Sequence, residues 1–132
     1  MEKRTTNRRR QKRYQVGSGV FVILNPAGDS FKLGTMVDIS KSGLALRYMD
    51  VIDSTINFSE LDIFVSGQGV LIWRLPFTVV SQTAFQSPNP FYSFISRRMG
   101  VKFNLLSDVK HARLSSFIQT YGIQEAFPDN PA

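Results

Sequence analysis

Short apolar runs, each closed by turn residues, constrain this chain more than any other feature of its sequence. Val16 to Leu24 reads as a strand and stops at the turn cluster Asn25-Pro26-Ala27-Gly28-Asp29. Phe31 to Ser40 is the next strand, closed by Lys41-Ser42-Gly43. Leu44, Leu46 and Tyr48 then alternate with Ala45 and Arg47, the period of a half-buried strand. Asn57 to Glu60 allows a short helical turn. Leu61 to Val65 and Val70 to Leu75 flank Ser66-Gly67-Gln68-Gly69 and read as a hairpin. Pro76 is expected to bend or interrupt the ladder before Phe77 to Ser81 resumes it. The most loop-like stretch, Gln86-Ser87-Pro88-Asn89-Pro90, lies in a Pro-rich loop near residues 84–95. Met99, Val101 and Phe103 alternate with Arg98, Gly100 and Lys102 in a final strand.

The period then changes. Leu114, Phe117, Ile118 and Tyr121 fall at i, i+3, i+4 and i+7, one face of a helix. Ser107 suits its N-cap, Asp108 its first turn and Gly122 its stop. Six or seven closely spaced strands followed by one helix make a small antiparallel barrel with the helix packed against it. At 132 residues the chain is about one domain's worth and can bury a core without disulfides or metal. The expected division is an arm at 1–13, a barrel with its helix at 14–124 and a tail at 125–132.

Composition removes most chemistry. There is no cysteine, hence no thiol nucleophile, disulfide or zinc ribbon, and a cytoplasmic location is expected. The single histidine, His111, excludes a multi-histidine metal site and falls in the helix with no activating motif beside it. No apolar run approaches the ~20 residues of a membrane span, and the basic start leads into no apolar segment. The carboxylates at Asp50 and Asp53, and at Glu60 and Asp62, sit in polar, turn-like sequence. Gly17-Ser18-Gly19 lacks the third glycine and the following helix of a phosphate loop. The chain therefore reads as a non-enzyme without metal or catalytic cofactor.

Charge is more informative once it is located. Lys3, Arg4, Arg8, Arg9, Arg10, Lys12 and Arg13 stand against Glu2 alone, and the rest of the chain is balanced. Such an arm expects an anion: nucleic acid, an anionic membrane or a phosphorylated small molecule. After Met1 the arm has no apolar side chain, so it cannot fold by itself and is expected to become ordered on its ligand. Within it, Arg9 and Arg13 stand four apart, and arginine's planar fork suits both phosphate and the O6/N7 edge of guanine. Asp38-Ile39-Ser40-Lys41-Ser42-Gly43 is the second constellation. Strand periodicity puts Asp38 and Ser40 on one face, and Gly43 permits a tight turn. A carboxylate there can accept from guanine N1–H and N2–H₂, while the serine can bond phosphate or backbone. A basic tail and a plain turn are the bland alternatives for the two segments.

Together the two segments resemble the PilZ domain, a bacterial receptor module for cyclic di-GMP. Arg9 and Arg13 match its Arg-x-x-x-Arg motif, and Asp38, Ser40 and Gly43 match its Asp/Asn-x-Ser-x-x-Gly motif. Gly43-Leu44-Ala45-Leu46 resembles the strand after that turn, and Arg97-Arg98-Met99-Gly100-Val101-Lys102-Phe103 its late Arg-x-Gly-Val-x-Phe strand. The resemblance spans most of residues 8–121; the loop near 84–95 and the extra basic residues before Arg9 depart from it. It implies a six-stranded split barrel and a cyclic di-GMP receptor without enzymatic activity. Its implied ligand contacts are Arg9, Arg13, Asp38, Ser40 and Gly43, with Arg8, Arg10, Lys41, Ser42, Arg98 and Gly100 around them.

The receptor is expected to change conformation on binding and to signal through a protein partner, in motility, exopolysaccharide or surface-behaviour control. A homodimer is left open, and no membrane insertion is expected. One rival is a small-barrel nucleic-acid binder that stacks bases on Trp73, Tyr48 or Phe side chains. The alternation of the aromatics with polar residues assigns them to the core and ranks nucleic acid second. The other rival is a PilZ-like interaction adaptor without ligand binding.

Overall fold

Glycine turns and register, more than helix propensity, divide the chain. The computed structural model describes residues 12–51, 56–86 and 94–126. Strand β1 (Arg13–Val16) ends at Gly17-Ser18-Gly19, where Gly19 adopts φ +91°, and β2 (Val20–Leu24) follows. The single strand expected from Val16 to Leu24 is thus two. Both run antiparallel to β3 (Lys32–Ile39), β2 through Phe21–Thr35 to Leu24–Lys32 and β1 through Tyr14–Ile39. A glycine in the left-handed region lets the chain step sideways between them without a steric cost.

The remaining strands are β4 (Gly43–Val51), β5 (Glu60–Val65), β6 (Gly69–Gln86) and β7 (Phe94–Phe103). Their order is β2-β5-β6-β7-β4-β3, and the β2–β3 pairing closes a six-stranded antiparallel barrel. Residues 56–59 hold no helical turn; β5 begins at Glu60. The chain reverses at 66–68 as expected, and Gly67 and Gly69 both adopt positive φ there.

Pro76 does not interrupt β6, which runs unbroken for 18 residues. It stands where β6 changes partner: Gly69 to Pro76 pair with β5, and Phe77 to Gln86 pair with β7. The missing N–H therefore falls at a handover. The flanking groups are still bonded, Phe77 N donating to Ser59 O at 2.9 Å and Asn104 N to Pro76 O at 2.8 Å. Asp62, far from being turn-like, is buried and accepts from the Arg74 amide at 2.7 Å, where Arg74 adopts φ 53° in a bulged ladder. Lys110 Nζ donates to the Arg74 carbonyl at 2.6 Å, tying the bulge to the helix.

Inside the barrel, Leu24, Ile39, Leu44, Leu46, Leu61, Ile63, Ile72, Leu75 and Met99 are fully buried. Helix α1 (Asp108–Tyr121) buries Leu114, Phe117 and Ile118 against this core. Ser107 caps it by accepting from Lys110 N at 3.2 Å. Gly122 is the stop expected, in an extended conformation: its φ is −70°, and a Cβ there would press on Ile118 O and Tyr14. The chain then continues as β8 (Gly122–Ala126), unforeseen in the sequence, which pairs with β1 from Val16–Gly122 to Arg13–Ala126. β8 lies across the expected boundary at 124/125. No helix among the described residues is long and apolar enough to cross a membrane.

Asp50 also departs from the turn-like surroundings its sequence suggested. It is buried at the end of β4, with Lys32 Nζ at 3.2 Å and Arg97 Nε at 3.3 Å. Asp53 lies outside the described residues.

Candidate functional site

Two consecutive devices build the turn between β3 and β4. Ser40 is 1% exposed, and its Oγ accepts from the amides of Ser42 and Gly43, both at 3.2 Å. Ser40 N donates to Gly43 O at 2.8 Å, closing the turn. A buried hydroxyl answering two amides is a staple, so of the two roles open to Ser40 it takes the backbone one. Gly43 has no positive φ. Its requirement is space, because a Cβ there would collide with the Val101 carbonyl oxygen on β7. Lys41 and Ser42 are the exposed tip of the turn.

Asp38 lies just before this turn, beside a register shift between Met36 and Asp38. Arg13 reaches it from β1: Nε donates to Oδ1 at 3.0 Å and Nη2 to the same oxygen at 2.6 Å. The pair is partly buried, its side chains 20% and 13% exposed. The two sequence motifs therefore meet, through one member of each. Arg8, Arg9 and Arg10 lie outside the described residues.

Register extends the site across the sheet. Asp38 pairs with Ala45, Ala45 with Gly100 and Gly100 with Ser81. Leu44 and Leu46 point into the core, so Ala45 between them lies on the opposite face, although it is itself only 5% exposed, and the row beside Asp38 consists of small side chains. Gly100 is confined in turn by Ser81, whose Oγ a Cβ would meet at 2.6 Å. One row along, Arg47 of β4 stands directly opposite Arg98 of β7. The structure thus gathers Arg13, Asp38, Arg98 and Gly100 on one outer face. It adds Ala45, Ser81 and Arg47, which only the strand register could have supplied. Beside the turn, Lys12, Tyr14, Lys41 and Ile118 line a cleft of about 320 Å³.

Such a face has the donors to meet an anion and the small side chains to meet a planar group. Small side chains let a flat ring lie low over the more open end of the row, at Gly100 and Ser81, and guanidinium groups beside it can supply phosphate and base-edge donors. His111 is exposed on α1, and no metal-binding group of His, Asp or Glu occurs among the described residues. Tyr48 is buried, T-shaped against Phe58 at 5.7 Å, and so is no stacking platform. Trp73 differs from the core assignment: it is 50% exposed, with Arg113 5.7 Å from its ring centroid.

Neither a protein-family model nor a curated protein matches the sequence. Solved structures do. The PilZ domain of YcgR from Escherichia coli, with c-di-GMP, superposes with TM-score 0.66 at 16% identity, over 86% of this chain and 91% of that one. The longer YcgR chain in complex with c-di-GMP gives 0.61 at 17% identity, over 86% of this chain and 45% of that one. MrkH, described as a c-di-GMP-dependent transcription regulatory factor, gives 0.59 at 15%, over 86% of this chain and 50% of that one. The chain spans about half the length of these two longer proteins. Its fold is that of a PilZ domain.

Proposed function

We propose that the protein is a cyclic di-GMP receptor that acts through binding and has no catalytic activity of its own. One observation carries the reading: Arg13 and Asp38, one from each of the two motifs, form an ion pair beside a floor of small side chains. Both bonds from Arg13 fall on Oδ1 of Asp38, and among the described residues Oδ2 accepts none. In this reading that oxygen accepts from guanine N1–H or N2–H₂, while the outer guanidinium nitrogen of Arg13 serves phosphate or O6/N7. Two solved structures of similar fold, both of YcgR, hold c-di-GMP, which supports the choice of ligand. Arg9 on the basic arm, with Arg8 and Arg10 about it, supplies further contacts. Ser40 and Gly43 act by holding the turn that places Asp38, and Lys41, Ser42, Arg98 and Gly100 border the ligand. Closure of the arm over the ligand is the conformational change, and a protein partner reads it.

A guanidinium–guanine bidentate contact is worth about 1–3 kcal/mol. Arg13→Ala should therefore weaken cyclic di-GMP binding roughly ten- to hundredfold by equilibrium titration. Wild-type affinity in a folded Arg13→Ala protein would remove the ion pair from the site.

A further inference from the structure

On β4 the core-facing residues Leu46, Tyr48 and Asp50 alternate with Arg47, Met49 and Val51, which face outward. Register carries this outer face across the neighbouring strands: Met49 pairs with Ser96 and Ser96 with Phe85, while Val51 pairs with Phe94. Leu33 joins Met49, Arg47 and Ser96 around a shallow groove of about 250 Å³ on the β3 side. The resulting band is strongly apolar for a surface: Leu33 is 56% exposed, Met49 58%, Phe85 58%, Phe94 52% and Val51 44%. Isolated exposed apolar residues need no explanation, but five on one continuous face mark a contact surface.

Charge specifies what the contact must be. Arg47 and Arg98 face each other across β4 and β7 at the edge of the band, an unfavourable placement for like charges. No carboxylate among the described residues pairs with either. Among the described residues the band exposes no acid, and Asp50, between Met49 and Val51 on β4, is buried beside Lys32 and Arg97. A second copy of the chain docking through the same face would bring two more arginines and, from the described residues of the band, no exposed counter-charge. A surface with carboxylates beside aliphatic side chains would satisfy both features.

We propose that this band is the docking surface for a partner protein presenting aliphatic side chains flanked by Asp or Glu, the carboxylates pairing with Arg47 and Arg98. The inference shares the Arg47–Arg98 row with the nucleotide reading, whereas the apolar band itself lies beyond that row from the Asp38–Ala45–Gly100 floor.

The test is photocrosslinking in cells that make the protein, with benzoylphenylalanine incorporated in place of Met49 and the adduct identified by mass spectrometry. The expected adduct is with one protein, at a segment where apolar residues adjoin Asp or Glu. Phe85→Glu and Arg47→Glu should each lower its yield at least fivefold while melting temperature stays near wild type. Replacing the partner's carboxylates by lysine should restore the adduct with Arg47→Glu. Phe85→Glu should bind cyclic di-GMP, or fail to, as the wild type does, so this outcome is separable from the nucleotide proposal. An adduct with a second copy of the chain, with lipid or with nucleic acid would overturn the inference. So would no adduct, or a yield unaffected by Arg47→Glu.

Discussion

Arg13 and Ser40 show how far residue identity alone carries. Both were legible as candidate site residues, because an arginine fork and a hydroxyl are ready phosphate partners. Their roles diverge because burial differs: Arg13 keeps 20% of its side chain exposed, whereas Ser40 keeps 1% and serves its own turn. Tyr48 carries a consequence of burial that can be measured. Desolvation first, and the Asp50 carboxylate second, push its phenol above the ordinary 10.0, against opposing effects of Arg97 and of the Gln82 amide that donates to it. A raised folded pKa means that Tyr48's contribution to stability is whole below pH 10.0 and is lost as pH rises from there through the folded value. Alkaline absorbance titration should therefore show a late phenolate step that Tyr48→Phe abolishes. Denaturant midpoints should fall less steeply above pH 10.0 in that variant than in the wild type.

At the scale of elements, local pattern predicted existence and long-range pairing decided extent. The alternation through Leu44, Leu46 and Tyr48 identified β4, and the face through Leu114, Phe117 and Ile118 identified α1, since each period is written in consecutive residues. The handover of β6 at Pro76 was not legible: whether a missing N–H breaks a ladder depends on which strand lies opposite. β8 was hidden for the same reason, its partner β1 lying more than a hundred positions earlier. Gly43 shows both sides. The sequence marked it as special, but supplied the wrong reason, a turn conformation in place of the approach of β7. Gly43→Ala must push β4 from β7, an overpacking cost of about 1–3 kcal/mol, and should lower the melting temperature accordingly. Because β4 carries Ala45 and β7 carries Gly100, cyclic di-GMP affinity should fall as well in the fraction that stays folded. Unchanged affinity there would leave Gly43 with a structural role only.

For the whole molecule, the sequence separates a basic arm from an electrically balanced body, and the body is a closed barrel with one helix. What could not be read from spacing was that Arg13 already belongs to the barrel sheet as the first residue of β1. The arm and the strand-turn are therefore joined through an ion pair, and the proposed ligand face begins from that joint. Removing residues 1–11 takes away Arg8, Arg9 and Arg10 but leaves Arg13 and the sheet, so cyclic di-GMP affinity should drop roughly tenfold or more, one arginine contact being worth about 1–3 kcal/mol. The central claim, a receptor specific for the cyclic dinucleotide, is tested most directly by calorimetric titration of the full chain with cyclic di-GMP and, in parallel, with GTP. The account predicts saturable binding of cyclic di-GMP and at least a hundredfold weaker binding of GTP. Equal affinity for the two, or no heat with cyclic di-GMP, would contradict it.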